Sequence, residues 1–90
     1  MIKGKIILAP GHRIQYEPSQ NRHVLLYPEG LVELGDTAEA ILTRCRAETT
    51  MATIVHDLEE EFQGDGMAKD VGDFLEEAHA RGWISINING

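Results

Sequence analysis

A chain of 90 residues can build one modest hydrophobic core, so a single domain over residues 1–90 is expected and a second has no room. The lone cysteine, Cys45, excludes an internal disulfide and is in keeping with a reducing, cytoplasmic setting. The formal charge of −7 is uneven, with six basic and five acidic residues up to Arg46 but two basic and ten acidic from Ala47 onward; that excess argues against nucleic acid, which needs clustered Lys and Arg.

The first predicted elements are strands. Ile6-Ile7-Leu8 is too short an apolar run for a signal peptide or a membrane span, so no membrane partner is expected, and it reads equally as an edge strand or an extended arm. Arg13 to Tyr16 alternates polar and apolar residues as a half-buried strand does, and Glu17-Pro18-Ser19-Gln20-Asn21 supplies turn residues after it. His23 to Tyr27 is the next strand. Pro28 pre-sets a corner and Gly30 can close a three-residue hairpin loop, after which Leu31 to Leu34 pairs back antiparallel.

Helices follow. Asp36, with Glu39 three residues later, predicts a capping-box start for a first helix from Thr37 to Arg46, whose apolar residues Ala38, Ile41, Leu42 and Cys45 form one stripe. Thr50 caps a second helix with the stripe Met51, Ile54, Val55, Leu58 and Phe62, ended by Gln63-Gly64-Asp65-Gly66. A third helix starts near Met67, capped by Asp65, with Met67, Val71, Phe74, Leu75 and Ala78 as its stripe and Gly82 as its stop. Trp83 to Ile88 then alternates with period two, as a final strand or extended tail with Ile84, Ile86 and Ile88 on one face. The expected architecture is α+β, a small antiparallel sheet followed by three helices.

Residues able to do chemistry are scattered. His12, His23, His56 and His79 lack metal-ligand spacing, and only His56 with Glu59 or Glu60 makes a local combination, so no metal and no cofactor is expected. Cys45 falls in a core stripe, without the context of an activated thiol. The acidic loop Gly64-Asp65-Gly66 would repel phosphate. Glu59-Glu60-Glu61 and Glu76-Glu77 are neighbours on helices and point in different directions, so they form no facing acid/base pair. The dispersed aromatics offer no stacking platform for bases.

The order and spacing of Leu25-Leu26-x-Pro28-Glu29, of Thr37-Ala38-x-x-Ile41-Leu42-x-x-Cys45 and of Asp70-Val71-x-x-Phe74-Leu75 before Gly82-Trp83-Ile84 strongly resemble the PqqD family of pyrroloquinoline quinone (PQQ) biosynthesis. The family often has an acidic residue and glycine after its cysteine, where this chain has Arg46-Ala47. The resemblance implies a winged-helix-like fold, a three-stranded antiparallel sheet followed by three helices, known as a RiPP recognition element. It also implies a non-catalytic peptide chaperone that binds the precursor peptide PqqA and presents it to the radical S-adenosylmethionine enzyme PqqE.

An exposed strand edge suits that role, because a peptide can add to it as a further strand. The expected receiving edge is Leu31, Val32, Glu33 and Leu34, with Asp70, Val71, Phe74, Leu75 and Ala78 of the third helix as the other wall of the groove; at least half of Val71, Phe74 and Leu75 should be core instead. Arg13 and Glu29 are read first as a local ion pair or turn contact and otherwise as groups that orient the hairpin or meet the enzyme. Lys3, Lys5, Arg13 and Arg22 are a candidate surface for an acidic peptide. The rival from another class, a winged-helix DNA-binding regulator, needs a basic recognition helix, whereas the segment from Met67 to Arg81 sets Asp70, Asp73, Glu76 and Glu77 against Lys69 and Arg81. An open edge also allows a homodimer, unless the arm before Pro10 or the tail after Trp83 covers it.

Overall fold

The computed structural model describes residues 2–88. The chain runs β1 (Lys5–Leu8), β2 (Arg13–Glu17), β3 (Arg22–Tyr27), β4 (Gly30–Glu33), α1 (Asp36–Leu42), a 3-10 turn (Thr43–Cys45), α2 (Met51–Glu61), α3 (Ala68–Ala80) and β5 (Ile84–Asn87). The expected three-stranded antiparallel sheet, in the order β2-β3-β4, precedes the three helices. Tyr27 pairs with Gly30, so Gly30 belongs to the ladder and the hairpin loop is Pro28-Glu29 alone, one residue shorter than expected.

The two ends of the chain form a second sheet. Antiparallel β1 and β5 put Ile6 opposite Ile86 and Leu8 opposite Ile84, and the Ala9 amide donates to the Trp83 carbonyl at 2.9 Å. On its other side β1 is held by Thr49, whose N–H and C=O exchange bonds with Ile6 at 2.9 and 2.7 Å. Ile84 is buried and Ile86 half-buried, but Ile88, expected on the same face, lies beyond the end of the strand and is exposed.

The helix starts differ most from expectation. Gly35 occupies the cap position of α1 and Asp36 is its first residue, without a capping bond; Glu39 does not reach back because its carboxylate is held by Nδ1 of His23 on β3. The helix tightens after Leu42 into the 3-10 turn, which still carries Cys45 into the core beside Ile41 and Leu42. Thr50 does cap α2, its Oγ1 accepting from the Thr53 amide at 3.2 Å, an arrangement worth about 1 kcal/mol. Asp65 does not cap α3; the free amide of Met67 instead donates to Glu59 Oε2 at 3.0 Å, which ties α3 to α2.

Helices α2 and α3 both end in a Schellman motif. In α3 the Trp83 amide reaches the Ala78 carbonyl at 2.9 Å and the Gly82 amide the His79 carbonyl at 3.0 Å, with Gly82 at φ +81°, where glycine alone is unstrained. The equivalent residue of α2 is Gln63, at φ +52°. Phe62 is therefore the C-cap of α2 and no longer follows the helical stripe, so the expected core residue is 57% exposed. The core proper joins Ile6, Ile14, Leu25, Leu34, Ile41, Leu42, Cys45, Met51, Ile54, Leu58, Val71, Leu75, Ala78 and Ile84.

Candidate functional site

Strand register decides which backbone groups of β4 are open. The Leu34 amide bonds to the His23 carbonyl at 3.3 Å, which makes His23 and Leu34 a hydrogen-bonded pair. Such pairs alternate along an antiparallel ladder, so Val32 and Gly30 also direct their N–H and C=O toward β3. Leu31 and Glu33 then direct theirs outward, and among the described residues no hydrogen bond meets them. Both side chains are exposed, Leu31 at 56%. The same alternation sends the carbonyl of Ile14 out from β2, at the opposite edge of the sheet, and there the guanidinium of Arg46 donates to it at 3.1 Å. Arg46 thus blunts that edge, while β4 stays open.

The predicted site residues divide between surface and core. Leu31 and Glu33 lie on the open edge and Val32 is half-buried, but Leu34 is only 3% exposed and belongs to the core. On α3, Val71, Leu75 and Ala78 are buried at 2%, 0% and 0%, leaving exposed Asp70 and half-buried Phe74 to reach a ligand. The physical reason is that one stripe of α3 packs on the core, which leaves only the adjacent stripe toward the surface. That adjacent stripe runs through Asp70, Phe74 and, at the C-cap, Arg81, a rise of ~16 Å at 1.5 Å per residue.

A pocket lies toward each end of this stripe. One, of about 310 Å3, is lined by Asp36, Thr37, Ala40, Ile41, Leu58, Phe62, Met67, Asp70 and Val71, where α1, α2 and α3 converge just beyond the end of β4. The other, of about 410 Å3, is lined by His12, Tyr27, Glu29, Val32, Arg81, Gly82 and Trp83. There the rings of His12 and Tyr27 stack at 5.9 Å, and Arg81 lies 5.3 Å from the Trp83 ring centre, a cation–π contact. Most of these pocket residues lie outside the site expected from sequence, because they come from separate elements that only the fold brings together. The only usable signal was Gly82-Trp83, since the Schellman turn aims Trp83 toward the second pocket. A larger pocket, of about 710 Å3, lies elsewhere, between α2 and the residues around β1 and β5, and contains none of the β4 edge.

Charges around the groove are mainly negative. Lys69 is held by Asp73 at 2.8 Å and Arg81 by Glu77 at 3.0 Å, so the two cations of the α3 segment are engaged and a phosphate backbone would meet carboxylates there. Among the described residues Arg13 and Glu29 form no ion pair with each other, so that half of the expected local contact is absent. Lys3, Lys5, Arg13 and Arg22 line neither groove pocket, and Lys5 contacts Glu48 at 3.7 Å. The thiol of Cys45 is fully buried, donates to the Ile41 carbonyl at 3.5 Å, and is raised to about 11 by burial, which keeps it protonated and inert at neutral pH. No group of three or more His, Cys, Asp or Glu side chains suited to a metal occurs among the described residues, and none of their helices is long and apolar enough to cross a membrane.

Comparison with known proteins gives a consistent result. The family model for coenzyme PQQ synthesis protein D (PqqD) matches residues 22–84. The PqqA binding protein of Azotobacter vinelandii is 49% identical over 81 residues, covering 89% of this chain and 88% of that protein. The PqqA binding protein of Rahnella aquatilis is 45% identical over 77 residues, covering 84% and 81%. Among solved structures, the PqqD truncation of Methylobacterium extorquens PqqCD, a stand-alone RiPP recognition element, superimposes with a TM-score of 0.76 at 25% identity, covering 94% of this chain and 95% of that one.

Proposed function

The chain belongs to the PqqD family, and from that premise we propose that it is a non-catalytic chaperone of PQQ biosynthesis that binds the precursor peptide PqqA as an added strand on β4 and presents it to PqqE. The observation that carries this reading is the open β4 edge, with Val32 of β4 and Arg81 at the end of α3 lining one pocket. Leu31 and Glu33 offer one N–H and one C=O each, hence four backbone bonds. At about 0.5–1.5 kcal/mol each they yield about 2–6 kcal/mol, of the same order as the 2–5 kcal/mol or more needed to order a disordered segment. Backbone pairing therefore supplies register, and useful affinity must come from side chains entering the two flanking pockets.

This reading assigns binding to Leu31, Val32, Glu33, Asp70 and Phe74, with Tyr27, Arg81 and Trp83 added from the second pocket. Leu34, Val71, Leu75 and Ala78 act from beneath as core. A second copy of the chain pairing at β4 would compete with peptide, so a homodimer through this edge and the peptide complex exclude one another. The test is calorimetric titration of the chain with synthetic PqqA: saturation at one peptide per chain is expected, and no binding at millimolar peptide would overturn the reading. Presentation is tested separately by peptide crosslinking with PqqE, which should depend on the chain and fail with a variant that cannot bind peptide.

A further inference from the structure

The pocket beyond the end of β4 has an unusual composition for a peptide-binding cavity. Its floor is apolar, built from Ile41, Leu58 and Val71, and exposed Phe62 borders it, yet two exposed carboxylates, Asp36 and Asp70, line the same cavity. Neither carboxylate forms an ion pair among the described residues, Asp70 acts on Lys69 only through space, and the nearby cations are engaged elsewhere. Arg44 holds Glu61 at 2.5 Å and the Ala40 carbonyl at 2.8 Å, Arg46 holds the Ile14 carbonyl, and Lys69, next in sequence to Asp70, holds Asp73.

We propose that this pocket receives a lysine or arginine side chain of the bound peptide, its methylenes on the apolar floor and its cation between Asp36 and Asp70. The side chain's chemistry matches the cavity at both levels, because long basic residues bury an aliphatic stem while the charged head stays at the water boundary. Phe62 adds a ring face that a cation can approach, which gives a role to an aromatic otherwise left in solvent. The position suits a strand-added peptide, since Asp36, at the start of α1, follows the last β4 residue, Glu33, by only three positions. Specificity is then a charge requirement at one peptide position, set beside backbone pairing that tolerates any side chain.

This inference rests on the strand-addition reading, and the experiment separates the two. Synthetic PqqA, and copies in which each lysine or arginine is replaced in turn by glutamine, are titrated into the full chain and into the Asp36→Asn/Asp70→Asn variant, with amide shifts of Leu31 and Glu33 recorded alongside. One peptide substitution should weaken binding to the wild type roughly five- to tenfold and have little further effect on the variant; the wild-type complex should also lose more affinity than the variant complex when salt is raised. If no substitution changes affinity more than about twofold while Leu31 and Glu33 still shift, the charge requirement is wrong and strand addition stands. If PqqA binds neither protein, both fall. The variant's melting curve verifies that it is folded, as expected for two residues whose side chains lie in solvent.

Discussion

Replacing Glu33 by proline tests strand addition with little disturbance to the fold. The Glu33 amide points away from β3, so a proline there removes no bond from the β3–β4 ladder, and edge positions of this kind are where strands tolerate proline. A bound peptide loses one backbone bond, about 1 kcal/mol, and its own carbonyl is left facing the ring without a donor, a further 1–2 kcal/mol. The sum of about 2–3 kcal/mol corresponds to a roughly 30- to 150-fold weaker complex. Glu33→Ala serves as the control, because it removes the carboxylate and keeps the N–H; its affinity should stay within a fewfold of wild type. Calorimetry with synthetic PqqA gives the constants, and thermal unfolding shows whether Glu33→Pro remains folded, each 1 kcal/mol of lost stability lowering the midpoint by about 4–8 °C in a chain of this size. A folded Glu33→Pro protein that binds PqqA as tightly as Glu33→Ala would refute the argument that β4 receives the peptide.

Two further outcomes concern stability. The Cys45 thiol ionises near 9.0 when unfolded and is raised to about 11 by burial, so the unfolded chain releases its proton first and stability falls as pH rises from 9 to 11. The slope should approach 1.4 kcal/mol per pH unit relative to Cys45→Ala, measured by urea unfolding at a series of alkaline pH values; parallel curves for the two proteins would contradict it. At the end of α2, Gln63→Gly relieves a left-handed residue at φ +52°, a gain of about 1–2 kcal/mol reduced by the greater freedom of glycine in the unfolded chain. A net stabilisation of about 0.5–1 kcal/mol should appear in thermal melts, and destabilisation would show that the Gln63 side chain supports the turn.

Much of the fold can be read from local pattern. The alternation in Arg13 to Tyr16 and His23 to Tyr27, the Pro28-Glu29 turn and the helical stripes through Ile41 and Leu42, Ile54 and Leu58, and Val71 and Leu75 each carry their own period and reappear as elements. The pairing of β1 with β5 is different in kind: each strand has four residues, and nothing local says that partners about eighty positions apart will meet. Caps depart from the local signal where a residue has a tertiary alternative, as Glu39 is drawn to His23 and the Met67 amide to Glu59. Phe62 continued a helical stripe on paper but sits past the last turn. The candidate site can be read from sequence in its elements and in Leu31, Val32, Glu33, Asp70 and Phe74, whereas Leu34, Val71, Leu75 and Ala78 belong to the core. Apolar residues of α3 mark its core stripe, whereas Arg81, just past the end of the helix, reads from sequence as ordinary solvated surface.

The central claim, that peptide occupies the β4 edge beside α3, is tested most directly by amide chemical shifts of the labelled chain during titration with PqqA. The largest changes should fall on Leu31 and Glu33 and on the α3 stripe through Asp70, Phe74 and Arg81, with slowed hydrogen exchange of the Leu31 and Glu33 amides, while β2 and the large pocket beside Val55 and Ile2 stay unchanged. Changes confined to β2, to β5 or to that large pocket, with the two β4 amides exchanging as in the free chain, would contradict the account.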